Sequence, residues 1–344
     1  FRDSRGTKIQ NLKTAFSYSL TQMNFDQLEI KSEHSTLFGQ LQFDYDRKDF
    51  KDFLEKVKVS GFFKNSTIDL EELNVFYSEF GTTLKADLNT TFSGTLNDLQ
   101  LESIDLTSTD NTSVVGKIKF KNVFKDTSGN FEMDAYFDQI ASSNSNLKAV
   151  LPRILGGSLS SDFDALGRFD MRGTAKISNS ELKTVMDIET DIGTLFVDLN
   201  LDQIKTIDNI SYVGQIQFTD FDLGQLMGES KIGLVTSSLS VEGRGFNKET
   251  INSNIAGTFD SFVFQEYMYS DVQVSGVIKN KIFNGQLATD DPNIKFNFEG
   301  LVDFSEQENS YDFSAAIDYA DLKALNFVQR DSLSILNGQM TMDM

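Results

Sequence analysis

The sequence predicts an all-β protein: an elongated, curled antiparallel sheet of many short strands, with a hydrophobic inner face and a few short helical turns. Its composition favours strands, because it has 31 Phe and 9 Tyr but only 2 Pro, so proline rarely interrupts sheet hydrogen bonding. Its patterning also favours them. The segment from Ile294 to Phe304 places apolar residues and one glycine on a single parity. Successive strand residues point to opposite faces, so this segment reads as a strand with one apolar side.

The same alternation recurs along the chain. It is found from Leu37 to Tyr45, from Lys117 to Lys121, from Phe131 to Asp138 and from Leu195 to Asp202. Clusters rich in Asn, Asp, Ser and Gly separate these segments and favour turns. At about 8 to 12 residues per strand, the chain has room for more than twenty strands, too many for one compact sandwich.

Five short segments change from strand to helical spacing. They are residues 49–58, 69–80 and 145–155, together with the sequences FDLGQL (221–226) and ADLKAL (320–325). Apolar residues three and four apart indicate helical turns. The segments are too short to form a helical layer, so we expect them to act as plugs or caps on the sheet.

An internal repeat organises the chain. Aligning Tyr212–Leu226 with Tyr311–Leu325, at an offset of 99 residues, matches a strand followed by the same D-L-x-x-L turn. Glycines also recur two positions after an apolar residue, at 61, 94, 243, 276 and 300. We expect residues 1–344 to form one continuous repetitive β-groove fragment of a longer protein. Residues 1–84 would be an N-terminal part with two short helices, and 85–228 and 229–344 successive repeat-like sections.

Composition and motifs exclude several function classes. A net charge of -20 and a pI near 4.4 argue against a nucleic-acid partner, because phosphate binding needs basic residues. The chain has no Cys and a single histidine, His34, which we expect to be exposed at a strand end. The acidic pairs around Asp220 and Asp290 lack the calcium-loop pattern. We therefore predict no enzyme, no catalytic residue, no cofactor and no metal site.

The use of the apolar face is the open question. Two sheets could pack face to face as a sandwich or solenoid. One long sheet could curl into a trough that binds amphiphiles, with each methylene removed from water contributing about 0.8 kcal/mol. Alternatively, exposed strands could hold client polypeptides by edge pairing. The unbroken series of one-sided strands, with few helices to cover it and no linker, favours the trough, and Phe without Trp suits a broad lining.

The predicted groove lining consists of the apolar-parity residues of the clearest strands. These are Phe43, Ile118, Phe120, Phe131, Met133, Phe137, Leu195, Val197, Leu199, Phe218, Ile294, Phe296, Phe298, Val302 and Phe304.

Several segments carry a resemblance to a known family. They are LKAVLP (147–152), GTLFVDLNL (193–201), YVGQIQFTDFDLGQL (212–226), IGLVTSSLSVEGRGFN (232–247), the run from Tyr267 to Phe304, and YDFSAAIDYADLKALNF (311–327). Across residues 85–330 the sequence resembles the TamB members of the AsmA-like family, in particular the forms of Bacteroidota. The order NGQLATDDPN, FEGLVDF, ADLKAL is its most specific part.

The resemblance implies a β-taco whose hydrophobic groove bridges the periplasm of a diderm bacterium. It implies that phospholipids pass between the inner and outer membranes with their acyl chains shielded in the groove. The implied partners are the inner membrane, through an N-terminal helix beyond this fragment, and a TamA-like outer-membrane barrel protein, through a C-terminal region beyond it. The alternatives are an assembly factor for outer-membrane proteins that binds client strands, or a purely structural envelope scaffold.

Overall fold

The computed structural model of the chain describes residues 8–74, 84–123, 130–150, 161–204, 210–245, 250–303, 311–329 and 334–343. The fold is all-β, as the composition and alternation predicted, with nineteen strands in one antiparallel sheet. The sequence spacing suggested more than twenty strands. The described strands are fewer because each is 8 to 13 residues long, so less of the chain remains for turns.

The strands divide between two compact units. Unit 1 comprises Phe1–Leu159 with Gly167–Asn179, and unit 2 comprises Ser160–Leu166 with Ser180–Met344. Unit 1 contains β1 (Asn11–Tyr18), β2 (Gln22–Lys31), β3 (Thr36–Asp44), β4 (Lys58–Asp69), β5 (Lys85–Thr95), β6 (Asp98–Ser108), β7 (Ser113–Lys121), β8 (Glu132–Ser143) and β9 (Arg168–Ser178). Each of these strands pairs with the next one in the sequence, which makes the unit a simple meander.

Unit 2 continues the same plan. It contains β10 (Glu181–Thr190), β11 (Gly193–Asp202), β12 (Ser211–Asp222), β13 (Ile232–Arg244), β14 (Asn252–Phe264), β15 (Tyr267–Lys279), β16 (Ile282–Asp291), β17 (Ile294–Asp303), β18 (Tyr311–Asp321) and β19 (Ile335–Asp343). These strands also pair in sequence order. In each unit, even-numbered strands therefore end at one edge, called here the even edge, and odd-numbered strands end at the other, the odd edge.

The helices are short and lie between strands, as predicted. They are α1 (Phe53–Lys56), α2 (Leu70–Leu73), α3 (Asn144–Val150) and α4 (Leu223–Met227), with 3-10 helices at Arg47–Asp52 and Ser161–Leu166. The ADLKAL segment forms a hydrogen-bonded turn, in which Leu325 N donates to Asp321 O at 3.0 Å. The predicted helical segments 69–80 and 145–155 extend beyond the described residues. None of the described helices has the length and apolar character needed to cross a bilayer.

The D-L-x-x-L turn occurs three times, once more than the sequence comparison recognised. Asp222 accepts a hydrogen bond from Gln225 N at 2.8 Å, and Asp321 accepts one from Ala324 N at 3.0 Å. The third copy follows β4, where Asp69 accepts a hydrogen bond from Glu71 N at 3.0 Å. In each case an aspartate at the end of an even-numbered strand caps the turn, so all three turns lie at even edges.

Bulges bend the even-numbered strands before they reach the even edge. One extra residue separates Phe25 from Leu28 in β2, and the same shift separates Phe137 from Ile140 in β8 and Phe218 from Phe221 in β12. A β-bulge bends its strand and increases the local twist. Because the bulge spans three positions, both flanking apolar side chains stay on the same face of the sheet.

Candidate functional site

The predicted apolar parity forms one continuous face in unit 1. Neighbouring strands place apolar residues opposite one another through all nine strands. One row of partners runs through Tyr18, Met23, Phe43, Val59, Gly94, Leu99, Phe120, Met133 and Ile177. A second runs through Phe25, Leu41, Gly61, Phe92, Leu101, Ile118, Ala135 and Ala175. Neither row contains a charged side chain, so the register extends the alternation of single strands into an uncharged surface.

Unit 2 has an equivalent face across its ten strands. One row of partners runs through Met186, Val197, Ile216, Leu239, Gly257, Val274, Leu287, Phe298, Ala315 and Met340. This row also has no charged member. Together with the rows of unit 1, this surface is called the apolar face.

The apolar face is mostly half-buried. In β17, Ile294, Phe296 and Phe298 are intermediate in exposure, whereas the alternating Lys295 and Asn297 are exposed. Side chains between two packed sheets would be fully buried along most of their row. Near the strand centres, the burial comes from neighbours within the same sheet, which leaves many apolar side chains partly accessible, whereas Val59, Ile118 and Val274 are buried.

Exposure of the apolar face increases at the first and last strands. In β1, Phe16 and Tyr18 are 54% and 68% exposed, and in β19 Met340 is 46% exposed. Each of these residues has a strand on only one side. Their exposure is what a single layer predicts, since an overlying sheet would bury terminal and central strands alike.

The ring contacts within the described residues also fit a single-layer sheet. The rings of Phe298 and Phe313 pack at a tilt across β17 and β18 with centroids 5.2 Å apart, and those of Phe63 and Phe92 contact each other across β4 and β5 with centroids 5.5 Å apart. Every such ring pair joins residues of the same strand, of adjacent strands or of an adjoining loop.

The register places the predicted lining residues on the apolar face of their own unit. Those of unit 1 are Phe43, Ile118, Phe120, Met133 and Phe137, with Phe131 directly before β8 and its ring 6.5 Å from Phe120. Those of unit 2 are Leu195, Val197, Leu199, Phe218, Ile294, Phe296, Phe298 and Val302. Phe304 lies outside the described residues.

Three of these residues belong to packed clusters at the even edge. Leu195 and Phe218 pack against buried Phe221 and Val235, and Ile294 packs against buried Ala320 and Leu325. Leu195, Phe218 and Ile294 therefore stabilise the even edge of the sheet. Phe298 and Val197 lie nearer the strand centres, where the face is less covered.

Five described leucines of the D-L-x-x-L turns, Leu70, Leu223, Leu226, Leu322 and Leu325, pack at the even edge on the apolar side. Leu223 and Leu226 pack against the cluster of Phe221 and Val235, where Phe221 is fully buried. Leu325 is also fully buried, in the cluster that contains Tyr269. In unit 1, Leu70 packs with Ile68 and Ala86, and its neighbours include Leu37 and Leu106. The prediction that these segments act as plugs is thus met at three even-edge positions.

Glycines let the strands of the apolar face approach closely. A Cβ on Gly61 would lie 2.3 Å from Gln40 O, and the Phe92 ring already covers the position at 3.1 Å. Gly276, Gly285 and Gly300 are partners across β15, β16 and β17. A hollow of about 710 Å³ lies over this glycine row on the opposite, polar face, with Ser275 and Glu299 among its lining residues. The bulges occur at polar residue pairs instead of at these glycines.

Two carboxylates fix the turns of the even edge. Glu72 accepts hydrogen bonds from the hydroxyls of Ser32 and Ser35 and from His34 N, and thereby ties α2 to the β2–β3 turn. Desolvation alone would raise the pKa of Glu72, but these hydrogen bonds outweigh it and lower the pKa. His34 is exposed, as expected.

Asp291 plays the corresponding part in unit 2. It is 5% exposed and accepts hydrogen bonds from Tyr267 Oη, Ser270 N and Asn293 N. Burial opposes ionisation, but the hydrogen bonds prevail and the pKa of Asp291 is lowered. Burial raises the pKa of the neighbouring Tyr269 to about 12. Asp291 thus stabilises the β16–β17 turn.

The two edges of unit 2 differ in charge. We compared the hairpins at each edge, counting the last four residues of one strand, the described connection and the first four residues of the next. The five even-edge hairpins carry eleven carboxylates, Asp187, Glu189, Asp191, Asp220, Asp222, Glu229, Glu266, Asp290, Asp291, Asp318 and Asp321, and three lysines, Lys231, Lys295 and Lys323. The four odd-edge hairpins carry four carboxylates, Asp202, Glu242, Asp303 and Asp312, and three basic residues, Arg244, Lys279 and Lys281. In the described part of unit 2, the even edge is strongly acidic and the odd edge nearly neutral.

The described residues contain no group of three or more His, Asp or Glu side chains arranged to hold a metal ion. Comparisons with protein-family models, with curated proteins and with solved structures found no match to this chain. The candidate site is the apolar face, whose rows carry no charged side chain across the strands of each unit.

Proposed function

We propose that this chain is a segment of a lipid-conducting groove of the TamB and AsmA-like kind. Phospholipid acyl chains would lie on the apolar face while the headgroups remain in water, and the full-length protein would carry lipids between the two membranes of a diderm envelope. The observation that carries the proposal is an uncharged apolar face that extends across every strand of each unit and stays half-exposed.

Energetics support an apolar ligand. Accessible apolar area costs about 25 cal/mol per Å² when it faces water, so a face of many half-exposed Phe, Leu, Ile and Val side chains favours a hydrocarbon cover. Acyl chains need no directional partners, and the rows of both units offer none near the strand centres. A site for a polar metabolite would need convergent hydrogen-bonding groups on this face.

Native mass spectrometry of the purified chain, after incubation with phosphatidylethanolamine and phosphatidylglycerol vesicles, tests the proposal. Matched valine pairs supply the variants. Val197→Asn with Val302→Asn changes half-buried positions of the apolar face, whereas Val213→Asn with Val277→Asn makes the same chemical change at exposed positions on the polar face.

We expect phospholipid adducts on the wild-type chain and on the polar-face pair, with several-fold lower occupancy on the apolar-face pair. Far-UV circular dichroism establishes that both variants retain their strands. A wild-type chain without lipid adducts would contradict the proposal and favour a structural scaffold. Photocrosslinking of unfolded outer-membrane protein segments to strand edges, without competition by lipid, would instead support the assembly alternative.

A further inference from the structure

We infer that a phospholipid bound to the apolar face of unit 2 places its phosphate at the odd edge, beside Arg244, Lys279 and Lys281, and not at the even edge. This inference rests on the proposed function and adds the polarity of the bound lipid. Two independent features of unit 2 carry it: the packing of the even edge and the charge difference between the edges.

The packing of the even edge removes room for a headgroup there. The leucines of α4 and of the turn after β18 pack on the apolar side around fully buried Phe221 and Leu325. A hydrated phosphate in this position would displace hydrocarbon contacts and lose part of its hydration. The even edge therefore suits the methyl ends of the acyl chains.

The charge of the even edge also opposes a phosphate. Eleven carboxylates against three lysines give this edge a net charge of -8 among the described hairpin residues, whereas the odd-edge hairpins sum to -1. Like charges within a Debye length, about 8 Å at physiological ionic strength, repel measurably at a surface. An anionic headgroup is thus favoured at the odd edge relative to the even edge.

The odd edge also offers a local group of cations. Arg244 of β13 and Lys279 of β15 both pair with Asn252 of β14, so they lie two strand spacings apart, about 10 Å. Lys281 follows in the β15–β16 turn. Arg244 and Lys279 are exposed and leave the sheet on the polar face at its odd edge, from where long basic side chains can reach round the edge to a phosphate.

The apolar strip behind these cations has the right width. In β15, the apolar-face residues run from Val272 to Ile278, and the six residue steps between them span about 20 Å. One leaflet of a bilayer provides about 15 Å of hydrocarbon, half of the usual thickness. A phospholipid with its phosphate at Lys279 can therefore keep its acyl chains on the strip.

A charge-reversal comparison with two lipids tests the inference. The variant Lys279→Glu with Lys281→Glu changes the odd edge, and Lys231→Glu with Lys323→Glu is the matched even-edge control. Binding of phosphatidylglycerol and of diacylglycerol, which lacks the phosphate, is measured for each by native mass spectrometry. We expect the odd-edge variant to lose about three- to tenfold in phosphatidylglycerol binding, the range for two exposed charge contacts, and to retain diacylglycerol binding.

The other outcomes distinguish a wrong headgroup position from a wrong proposed function. Equal loss of both lipids, no loss of phosphatidylglycerol, or an equal loss in the even-edge control would overturn the inference, although lipid would still bind. Crosslinking supplies a second readout, because a phospholipid with a photoreactive headgroup should label peptides around Arg244 and Lys279. Labelling concentrated at residues 219–231 would place the headgroup at the wrong edge. If neither lipid binds the wild-type chain, the proposed function itself fails.

Discussion

Replacing Phe298 with aspartate distinguishes an accessible apolar face from a closed core. Phe298 lies between Leu287 and Ala315 in register, is half-buried, and contacts the Phe313 ring. Truncating a fully buried Phe costs about 3 to 5 kcal/mol, so Phe298→Ala at this half-buried position should cost about 2 kcal/mol. On an accessible face, the carboxylate of Phe298→Asp reaches water and adds less than about 1 kcal/mol to that cost. In a closed core, an unpaired buried charge adds several kcal/mol.

The assay is native-state hydrogen exchange of peptides from β16 to β18, which reports the local opening free energy without requiring a two-state transition for the whole chain. Tyr136→Asp, measured in peptides from β7 to β9, is the control, because Tyr136 is 47% exposed on the polar face and lies opposite Lys117. We expect Phe298→Asp and Phe298→Ala to differ by less than about 1 kcal/mol, and only the aspartate variant at 298 to lose lipid occupancy strongly. A gap of several kcal/mol between the two 298 variants would refute the single-layer interpretation of the face.

Three further predictions concern the structural supports of the face. Leu325→Ala should lower the free energy of unfolding of unit 2 by about 3 kcal/mol in urea, because Leu325 is fully buried. Leu322→Ala, at a half-buried position, should lower it clearly less. Equal losses would show that burial of Leu325 does not stabilise the even edge. Because the pKa of Asp291 is lowered in the folded state, ionised Asp291 stabilises the fold above the ordinary aspartate pKa of about 3.9, and this stability is lost as the pH falls towards the folded-state pKa. Asp291→Asn should therefore make the free energy of unfolding less dependent on pH in the acidic range. An unchanged pH dependence would contradict this. Gly300→Ala should lower the melting temperature more than Gly228→Ala. The backbone of Gly300 has a φ of 145°, and a Cβ there would lie 2.3 Å from the carbonyl oxygen of Asp312, whereas no atom lies within 4 Å of a Cβ at position 228. Similar melting temperatures of the two variants would disprove this.

Much of the fold was predictable because alternation directly encodes the two faces of a strand. The β17 segment illustrates this: its register confirms that Phe296, Phe298 and Val302 share a face with their neighbours in β16 and β18. The repeat at an offset of 99 residues also has a structural counterpart. Phe221 and Ala320, which occupy equivalent positions in the two copies, are both buried beside an aspartate-capped turn.

Parity alone could not reveal the bulges. Phe218 and Phe221 have opposite parity, yet an extra residue in β12 brings both to the apolar side. These bulges share a sequence pattern, in which an apolar residue is followed by two polar residues and another apolar residue. It occurs as FDQL (25–28), FDQI (137–140), FTDF (218–221) and FDSF (259–262). This pattern breaks the strict alternation of apolar and polar residues. A search for alternation therefore places a strand end where the strand only bends.

The charge difference between the edges was hidden for another reason. Asp220 and Lys279 are both single charges near turns, and nothing local in the sequence says that one turn lies at the even edge and the other at the odd edge. The edge assignment needs the count of strands between them, because each antiparallel connection reverses direction. Only the complete strand order separates the acidic hairpins from the nearly neutral ones, and with them the candidate positions for a headgroup.

The bulges and the leucine plugs together explain why the face is asymmetric. A bulge in an even-numbered strand turns its last residues, and Phe221 after the β12 bulge becomes fully buried beneath Leu223 and Leu226. In the β12–β13 pair the extra residue between Phe218 and Phe221 belongs to β12, so this bulge adds curvature close to the even edge. Hydrocarbon packing is thereby concentrated at that edge, while the strand centres remain half-exposed. A sheet built in this way presents an apolar strip with one packed, acidic border, and an amphiphile with a single polar end fits it in only one orientation.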